Sequence, residues 1–322
     1  MKKRRRTLKK LVLGIDVGGT NIKAVAVDGR GQVLAVMKRS TLARRGRDAL
    51  IERLILTLKD TVKKAGAGMV DVTGVGVGFA GPLDPIKGVV FDPPNLPGWS
   101  NVPLRDILEQ RLNLPVSLDN DANLVALGEH WKGAGRGARC LICITLGTGV
   151  GGGIILNGRV WHGVGGVAGE IGHMTLVRNG RRCACGNRGC LEAYASSQGL
   201  ILSMQGLIGK EEGLKNDGRV TPESIGRRAR SGDELARRAI EDTGRILGVA
   251  VASLANVLNP DVVVVGGGVS KLGECLFGPV REEVRKRAFS KVVEGLKIVK
   301  AELGDNAGPL GAARSLMLSL RT

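Results

Sequence analysis

The sequence predicts a mixed α/β protein with two lobes, built by duplication around a central cleft. At 322 residues, of which 43% are apolar, the chain is long enough to bury two cores. Strand-like apolar runs bounded by glycine alternate along it with segments of helical period. An internal repeat also relates a segment near the start of the chain to a segment near its middle.

The predicted strands are short apolar runs, most of them next to glycine or proline. They are Leu11 to Ile15, Ile22 to Val27, Val33 to Met37, Val72 to Phe79, Pro115 to Leu118, Leu141 to Leu146, Ile154 to Leu156 and Val262 to Val265. Helical periodicity predicts helices over Asp48 to Ala65 and Gly232 to Leu258. Ser231 with Glu234 suggests a capping box for the second helix, which ends at Asn259-Pro260.

The repeat is ungapped and has a shift of 129 positions. It places GIDVGGTNIKAVAVDGR, from Gly14 to Arg30, on CITLGTGVGGGIILNGR, from Cys143 to Arg159. Each copy has the pattern of a β-hairpin whose first turn exposes backbone amides. Two such hairpins facing each other would hold a polyphosphate between the lobes. The alternative is chance similarity, because hairpin turns use a small menu of residues.

The repeat predicts the domain organisation. Residues 1–10 form a basic tail, residues 11–120 a small lobe and residues 121–303 a large lobe with a metal-binding loop. The turn at Gly308-Pro309 before an apolar helix predicts that residues 304–322 return to the small lobe.

Composition limits the partners. A net charge of +18 makes nucleic acid worth considering, but the chain holds only three Trp, one Tyr and four Phe for base stacking. We predict a solvated basic tail and no specific nucleic-acid partner. No apolar run reaches the roughly 18 residues of a membrane helix, and the apolar stretch after Lys10 is too short for secretion. These two observations, together with the scattered cysteines, predict a cytoplasmic protein.

Two glycine turns are candidates for binding phosphate. A Walker A motif is absent, and the GxGxxG of Gly76 to Gly81 runs into Pro82 where a dinucleotide site needs a helix. The repeated turns remain, with glycine amides and threonine hydroxyls as donors, and Asp16 can orient a hydrated Mg²⁺. The predicted ATP-binding residues here are Asp16, Gly18, Gly19, Thr20, Lys23, Thr145, Gly147, Thr148 and Gly149.

A third glycine turn follows the predicted strand Val262 to Val265. Gly266, Gly267 and Gly268 would let a flat ring lie against the backbone, which suits adenine or its ribose. The alternative is a tight strand-to-helix turn without a ligand.

Phosphoryl transfer to an alcohol needs a base near the attacking hydroxyl. Asp121 is the candidate, because Asp119-Asn120-Asp121-Ala122-Asn123 follows a predicted strand and opens a helix that runs toward Trp131. Helix capping alone accounts for one of these polar residues and does not require all four.

A histidine and three cysteines lie in one short stretch. His173, Cys183, Cys185 and Cys190 provide one imidazole and three thiolates, the ligand set of a closed tetrahedral Zn²⁺ site. Buried thiols are the alternative. A closed site of this kind is structural, and it would fix the loops that carry Glu170 and Glu192, which are good acceptors for sugar hydroxyls or else ordinary solvated charges.

These motifs resemble the ROK proteins, a family of bacterial and archaeal sugar kinases and sugar-responsive repressors. The resemblance rests on GIDVGGTNIKAVAVD, GVGFAGPLD, PNLPGW, DNDANLVALGE, TLGTGVGGGIILNG, GGVAGEIGHM, CACGNRGCLE and NPDVVVVGGG. It implies an actin- and hexokinase-like (ribonuclease H-like) fold, ATP and Mg²⁺ as cofactors, and a homodimer or homotetramer. It also implies that Asp121 is the catalytic base, that His173 and the three cysteines bind zinc, and that the sugar contacts are Asn95, Asn120, Asp121, Glu170, His173 and Glu192.

The motifs look most like those of glucokinases, which implies transfer to the 6-hydroxyl of glucose. N-acetylmannosamine, N-acetylglucosamine, allose, fructose and mannose kinases stay open. Polyphosphate stays open as a second donor because Arg44, Arg45, Arg47, Arg178, Arg181, Arg182 and Arg188 add positive charge. A ROK regulator is the alternative from another class. It is disfavoured because ten residues before the first strand are too few for a winged helix.

Overall fold

The computed structural model of the protein describes residues 10–93, 96, 98–209 and 220–321. Within them, the strands are β1 (Leu11–Val17), β2 (Asn21–Asp28), β3 (Val33–Ser40), β4 (Val72–Phe79), β5 (Leu83–Asp84), β6 (Val89–Val90), β7 (Val116–Asn120), β8 (Cys140–Leu146), β9 (Val150–Leu156), β10 (Arg159–Val160), β11 (Val262–Gly266) and β12 (Lys297–Lys300). The α-helices are α1 (Arg47–Lys64), α2 (Leu104–Leu112), α3 (Asp121–Lys132), α4 (Glu192–Ala195), α5 (Ser197–Ile208), α6 (Pro222–Arg230), α7 (Glu234–Leu258), α8 (Glu274–Arg287), α9 (Ser290–Gly295) and α10 (Ala307–Ser319).

The chain divides into two compact units. Unit 1 is drawn from Met1–Arg136, Arg159–Ala168 and Asp305–Thr322, and unit 2 from Gly137–Gly158 and Gly169–Gly304. This division differs from the predicted boundary near residue 120, because α3 packs against α10 inside unit 1. Residues 159–168 are counted with unit 1, although the sequence placed them in the large lobe. The predicted cleft stays a prediction.

Unit 1 is built on a five-stranded sheet in the order β3-β2-β1-β4-β7. The strands β1, β2 and β3 form an antiparallel meander, whereas β4 and β7 run parallel to β1. Asp16 on β1 pairs with Gly78 on β4, and Gly78 pairs with Asp119 on β7. Asp16 and Asp119 therefore lie on either side of β4 near the carboxyl ends of the parallel strands, the edge at which open α/β sheets bind ligands.

The C-terminal helix α10 approaches this sheet more closely than side chains would allow. A methyl group added at Gly14 would overlap the Pro309 carbonyl, and one added at Gly76 would overlap the Ala312 carbonyl. The helix therefore lies with its backbone directly against β1 and β4. Because Gly308 also abuts the Asp16 side chain, this packing fixes the surroundings of that carboxylate.

Within unit 2, the strands β9, β8, β11 and β12 follow one another in the same order as β2, β1, β4 and β7 of unit 1. Its first strand, β8, again pairs antiparallel with the next strand and parallel with a later one, and Thr145 on β8 pairs with Gly266 on β11. The long helix α7 covers a core that includes Ile142, Leu247 and Val263. The duplication predicted from the sequence is thus confirmed in the strand order of both units.

The start of α7 corrects one prediction. Ser231 does not cap this helix, because it ends the preceding helix α6. The N-cap is Asp233, whose side chain accepts a hydrogen bond from the Ala236 amide at 3.0 Å. The predicted end is confirmed, with Asn259 in the left-handed conformation as the C-cap.

Among the described helices, none combines the length and the apolar character that a membrane crossing requires.

Candidate active site

Asp16 is a buried carboxylate near the end of β1. Its Oδ1 atom has no hydrogen-bond partner within the described part of the chain. Burial, reinforced by the charge of Asp121, raises the pKa of Asp16 to about 7, although Lys23 acts in the opposite direction. A buried anionic oxygen without a partner is costly unless a cation joins it. The carboxylate therefore has the surroundings expected of a group that binds a cation.

Asp121 is the first residue of α3, directly after β7. Asn120 caps the helix by accepting a hydrogen bond from the Ala122 amide at 2.9 Å, and the same amide donates to Asp121 Oδ1 at 2.9 Å. The residue named as the base is thus held at a helix N-terminus, where the helix dipole favours a carboxylate. Asp16 and Asp121 lie close enough for their charges to interact.

The turn between β1 and β2 has the predicted hairpin form. It consists of Gly18, Gly19 and Thr20, and the Gly18 amide donates to the Asn21 carbonyl at 3.0 Å. Lys23 on β2 forms an ion pair with Asp305, with its Nζ atom 2.8 Å from Oδ2 of that residue. The predicted phosphate contacts of this copy therefore lie together with Asp16 in unit 1.

The second copy of the turn lies between β8 and β9 and contains Gly147, Thr148 and Gly149. The third glycine turn lies beside it, because a methyl group added at Gly267 would overlap the Leu146 backbone. The structure thus brings together in unit 2 two of the three segments predicted to bind ATP.

The four predicted metal ligands meet in unit 2. The ligand atoms of His173, Cys183, Cys185 and Cys190 all lie within 4.8 Å of one another. Cys185 Sγ and Cys190 Sγ are 3.8 Å apart, as are Cys183 Sγ and His173 Nδ1. A tetrahedron of thiolates at about 2.3 Å from zinc has edges of about 3.8 Å, so the cluster has the dimensions of such a site.

Burial raises the pKa of the Cys183 thiol to about 12, whereas the Asn187 amide lowers that of Cys185. A thiolate at Cys183 therefore needs a cation beside it at neutral pH. All six cysteines are free thiols.

Glu192 connects this cluster to the second glycine turn. Its Oε2 accepts a hydrogen bond from the Val150 amide at 3.0 Å, and its Oε1 lies 3.5 Å from Cys183 Sγ. The sequence placed Glu192 beside the metal but did not predict its bond to β9, because the two residues are 42 positions apart.

The His173 ring can serve two partners. Its Nδ1 points to Cys183, whereas its Nε2 lies 3.9 Å from Glu170 Oε2. One nitrogen is therefore placed for a metal, and the other lies on the side of an exposed carboxylate. The arrangement permits both roles predicted for His173.

The predicted sugar contacts are distributed over the chain. Asn120 and Asp121 belong to unit 1, and Glu170, His173 and Glu192 to unit 2. Asn95, the remaining predicted contact, lies outside the described residues.

The sequence missed one feature of unit 1, a contact between His162 and Asp119. His162 Nε2 lies 2.7 Å from Asp119 Oδ2, and the carboxylate side chain is only 4% exposed. The two residues are 43 positions apart, so no motif could have paired them.

Comparison with known proteins identifies the family of this chain. The ROK family model matches residues 12–318. A glucokinase of Halalkalibacterium halodurans is 39% identical over 306 residues, which cover 93% of this chain and 92% of that protein. A xylose repressor of Caldicellulosiruptor bescii is 35% identical over 93% of this chain and 76% of its own length.

A solved structure agrees with this class. The ROK family glucokinase of Streptomyces griseus, in complex with glucose and AMPPNP, is 36% identical and superposes with a TM-score of 0.77, covering 95% of this chain and 98% of that one. The protein belongs to the ROK family, and the predicted hexokinase-like α/β fold is confirmed.

Proposed function

We propose that this protein is a hexose kinase that transfers the γ-phosphoryl group of ATP to the 6-hydroxyl of glucose, with Asp121 as the general base. The observation that carries the proposal is the pair of acidic residues in unit 1. Asp16 lies near the end of β1, and Asp121 directly follows β7, the parallel strand on the other side of β4. The charge of Asp121 contributes to the raised pKa of Asp16. The similarity to kinases named for glucose supports the choice of sugar.

The two acids suit different tasks. Asp121 begins a helix after the sheet edge, which suits a base that accepts the hydroxyl proton as the oxygen attacks phosphorus. Asp16 is nearly enclosed and has an oxygen without a partner, which suits a group that holds a hydrated cation. Mg²⁺ held there would neutralise phosphate charge when ATP is bound.

We assign the phosphate contacts to the repeated turns. Gly18, Gly19, Thr20 and Lys23 would serve from unit 1, and Thr145, Gly147, Thr148 and Gly149 from unit 2. Gly266, Gly267 and Gly268 would lie against the adenosine part of ATP, since Gly267 packs beside the second turn. Amides and hydroxyls can bind phosphate oxygens without adding negative charge.

We assign zinc to the cluster of His173, Cys183, Cys185 and Cys190. Its separations fit a tetrahedral thiolate site, and four protein ligands leave no position for a reacting water. The metal would therefore stabilise the loops of Glu170 and Glu192. Together with Asn95 and Asn120, these carboxylates and His173 are the proposed sugar contacts.

The test is a panel of sugars with ATP, measured by coupled ADP release. Glucose, mannose, fructose, allose, N-acetylglucosamine and N-acetylmannosamine should be compared at one enzyme concentration. We expect the highest kcat/KM with glucose. A higher value with an N-acetylhexosamine would reassign the substrate, and no turnover with any of them would reject the kinase proposal. Polyphosphate in place of ATP tests the second donor in the same assay.

A sugar-responsive regulator is the second candidate, favoured by the similarity to a xylose repressor. It predicts that a sugar binds tightly without being phosphorylated. Calorimetric binding of glucose and xylose, combined with the ADP assay, separates the two functions. We also propose a homodimer or homotetramer in the cytoplasm, and sedimentation equilibrium would measure the subunit number.

A further inference from the structure

His162 lies in the part of unit 1 formed by Arg159–Ala168, and its side chain is one third exposed. Its Nε2 is 2.7 Å from Oδ2 of Asp119, at the end of β7. The Asp119 side chain is buried almost completely. A buried carboxylate requires hydrogen-bond donors or a counter-charge. Because solvent hardly reaches Asp119, His162 supplies a donor that water does not.

The other oxygen of Asp119 braces the turn that carries Asp121. Its Oδ1 accepts hydrogen bonds from the Asn120 amide at 2.7 Å and from Asn123 Nδ2 at 3.0 Å. One of these donors precedes Asp121 in the sequence, and the other follows it by two positions. The orientation of the Asp119 carboxyl plane therefore constrains the backbone just before Asp121 and a side chain of the helical turn that follows it.

The two oxygens cannot be oriented independently, because they belong to one planar group. A donor that fixes Oδ2 also fixes Oδ1, and with it the bonds to Asn120 and Asn123. Asp119 in turn raises the pKa of His162 through their hydrogen bond and its charge, although burial of the imidazole opposes this. The cationic form of His162 is thus favoured, and a charge-assisted bond is shorter and stronger than a neutral one.

We propose that His162 is a positioning residue for phosphoryl transfer, which holds the Asp119 carboxylate so that Asp119 in turn fixes the turn of Asp121. The proposal rests on the proposed function, since it assigns Asp121 as the base. Misplacement of a reacting group by about 1 Å can reduce a rate by as much as 10²-fold. Because the effect is on the base, it should reduce kcat and leave the KM for sugar nearly unchanged.

The test compares two amide substitutions that differ by one methylene. Gln at position 162 can place its Nε2 close to where the imidazole Nε2 lies, whereas Asn is too short to reach Asp119. We expect His162→Asn to lower kcat by about tenfold or more with the KM for glucose within twofold. His162→Gln should stay within about threefold of the unmodified protein. Equal losses in both variants, an unchanged kcat in His162→Asn, or a loss confined to KM would overturn the proposal.

A second measurement does not depend on catalysis. The imidazole of His162 is followed by NMR as the pH is raised, and its signal is identified by its loss in His162→Gln. We expect a pKa above the ordinary histidine range that falls in Asp119→Asn, since the neutral amide removes the charge. An ordinary pKa that Asp119→Asn leaves unchanged would show that the pair does not form. If no sugar is phosphorylated but this titration is as expected, the kinase proposal fails and the pairing stands.

Discussion

The two copies of the glycine hairpin share a shape and differ in charge. In unit 1 the turn follows Asp16, a buried carboxylate whose pKa is raised to about 7. In unit 2 the equivalent position is Thr145. A carboxylate reaches that turn from α4, where Glu192 accepts a hydrogen bond from the Val150 amide. The duplicated topology thus provides two glycine turns, and the copy in unit 1 has an aspartate at the position where the copy in unit 2 has a threonine.

The two copies therefore share a backbone conformation and not a charge. Amides can bind phosphate from either turn, whereas a second buried carboxylate at the position of Thr145 would repel a phosphate bound there. Unit 1 combines Asp16 with Asp121, and unit 2 combines its turn with the metal cluster. We therefore assign the proton and cation chemistry to unit 1, and the organisation of the sugar loops to unit 2.

The largest effect should come from the proposed base. Asp121→Asn keeps the shape of the side chain and an oxygen that can accept from the Ala122 amide, but it cannot accept the hydroxyl proton. We expect kcat to fall by roughly 10²-fold or more while the affinity for glucose changes little. Coupled ADP release and calorimetric glucose titration measure the two quantities. Retention of kcat within a few-fold would remove Asp121 from the role and make Asp119 the next candidate.

Matched substitutions at the repeated position test the asymmetry itself. Asp16→Asn should lower kcat by about 10²-fold, because the amide holds a cation poorly. Thr145→Val, at the equivalent position of unit 2, should change kcat by no more than about fivefold, since it removes one neutral hydroxyl. If both variants lost activity equally, the two turns would share the chemistry and the comparison would fail.

Removal of the metal should affect sugar binding before it affects chemistry. Cys185→Ser, or exhaustive chelation, should raise the KM for glucose about tenfold and lower the melting temperature, because binding energy at a structural site is folding energy. Cys275→Ser is the control, since this cysteine is exposed and lies outside the cluster. Elemental analysis should find about one zinc per chain. An unchanged glucose affinity in the metal-free protein would contradict the assignment.

The smallest effects should separate the two ends of the second turn. A methyl group added at Gly149 would lie 2.5 Å from Glu192 Oε2, whereas one added at Gly147 would meet nothing within 4 Å. Gly149→Ala should therefore raise the KM for glucose about threefold by displacing Glu192. Gly147→Ala should raise mainly the KM for ATP, because its methyl group would occupy open space beside the proposed phosphate contacts. The reverse pattern would show that Glu192 does not act on the sugar.

Much of the fold could be predicted from the sequence, because its signals are local. A glycine directly follows β1 and β8, and the repeat that contains both strands needs no gap. The sequence therefore located the two hairpins correctly. The strand β12, with the sequence KIVK, was missed because its residues are half polar and its partner β11 is distant in the chain. The cap of α7 was misplaced because α6 ends immediately before it.

The candidate site was predictable wherever its residues share a motif. The four metal ligands were predicted from their spacing, and the structure brings their ligand atoms together. Asp121 was predicted from its place after a strand, and its role as the base stays a prediction. The pair of His162 with Asp119 could not be found, since it depends on the packing of residues 159–168 within unit 1. The raised pKa of Asp16 likewise depends on α10, which joins the sheet from the far end of the chain.

The stability of Asp16→Asn as a function of pH tests the asymmetry between the two turns most directly. In the folded protein Asp16 has a pKa of about 7, whereas in the unfolded chain its pKa is near the ordinary value for aspartate. Its charge therefore costs stability increasingly as the pH rises from about 4 to 7, and the full cost persists above that range.

The measurement is the free energy of unfolding of both proteins in urea, without added Mg²⁺, at pH 5 and pH 8. The stability of Asp16→Asn relative to the unmodified protein should increase by roughly 2 to 3 kcal/mol between these pH values. The same variant should have lost its glucose-dependent ADP release. A difference that does not change with pH, or a variant that keeps its activity, would contradict the account of Asp16 as a buried charge retained for catalysis.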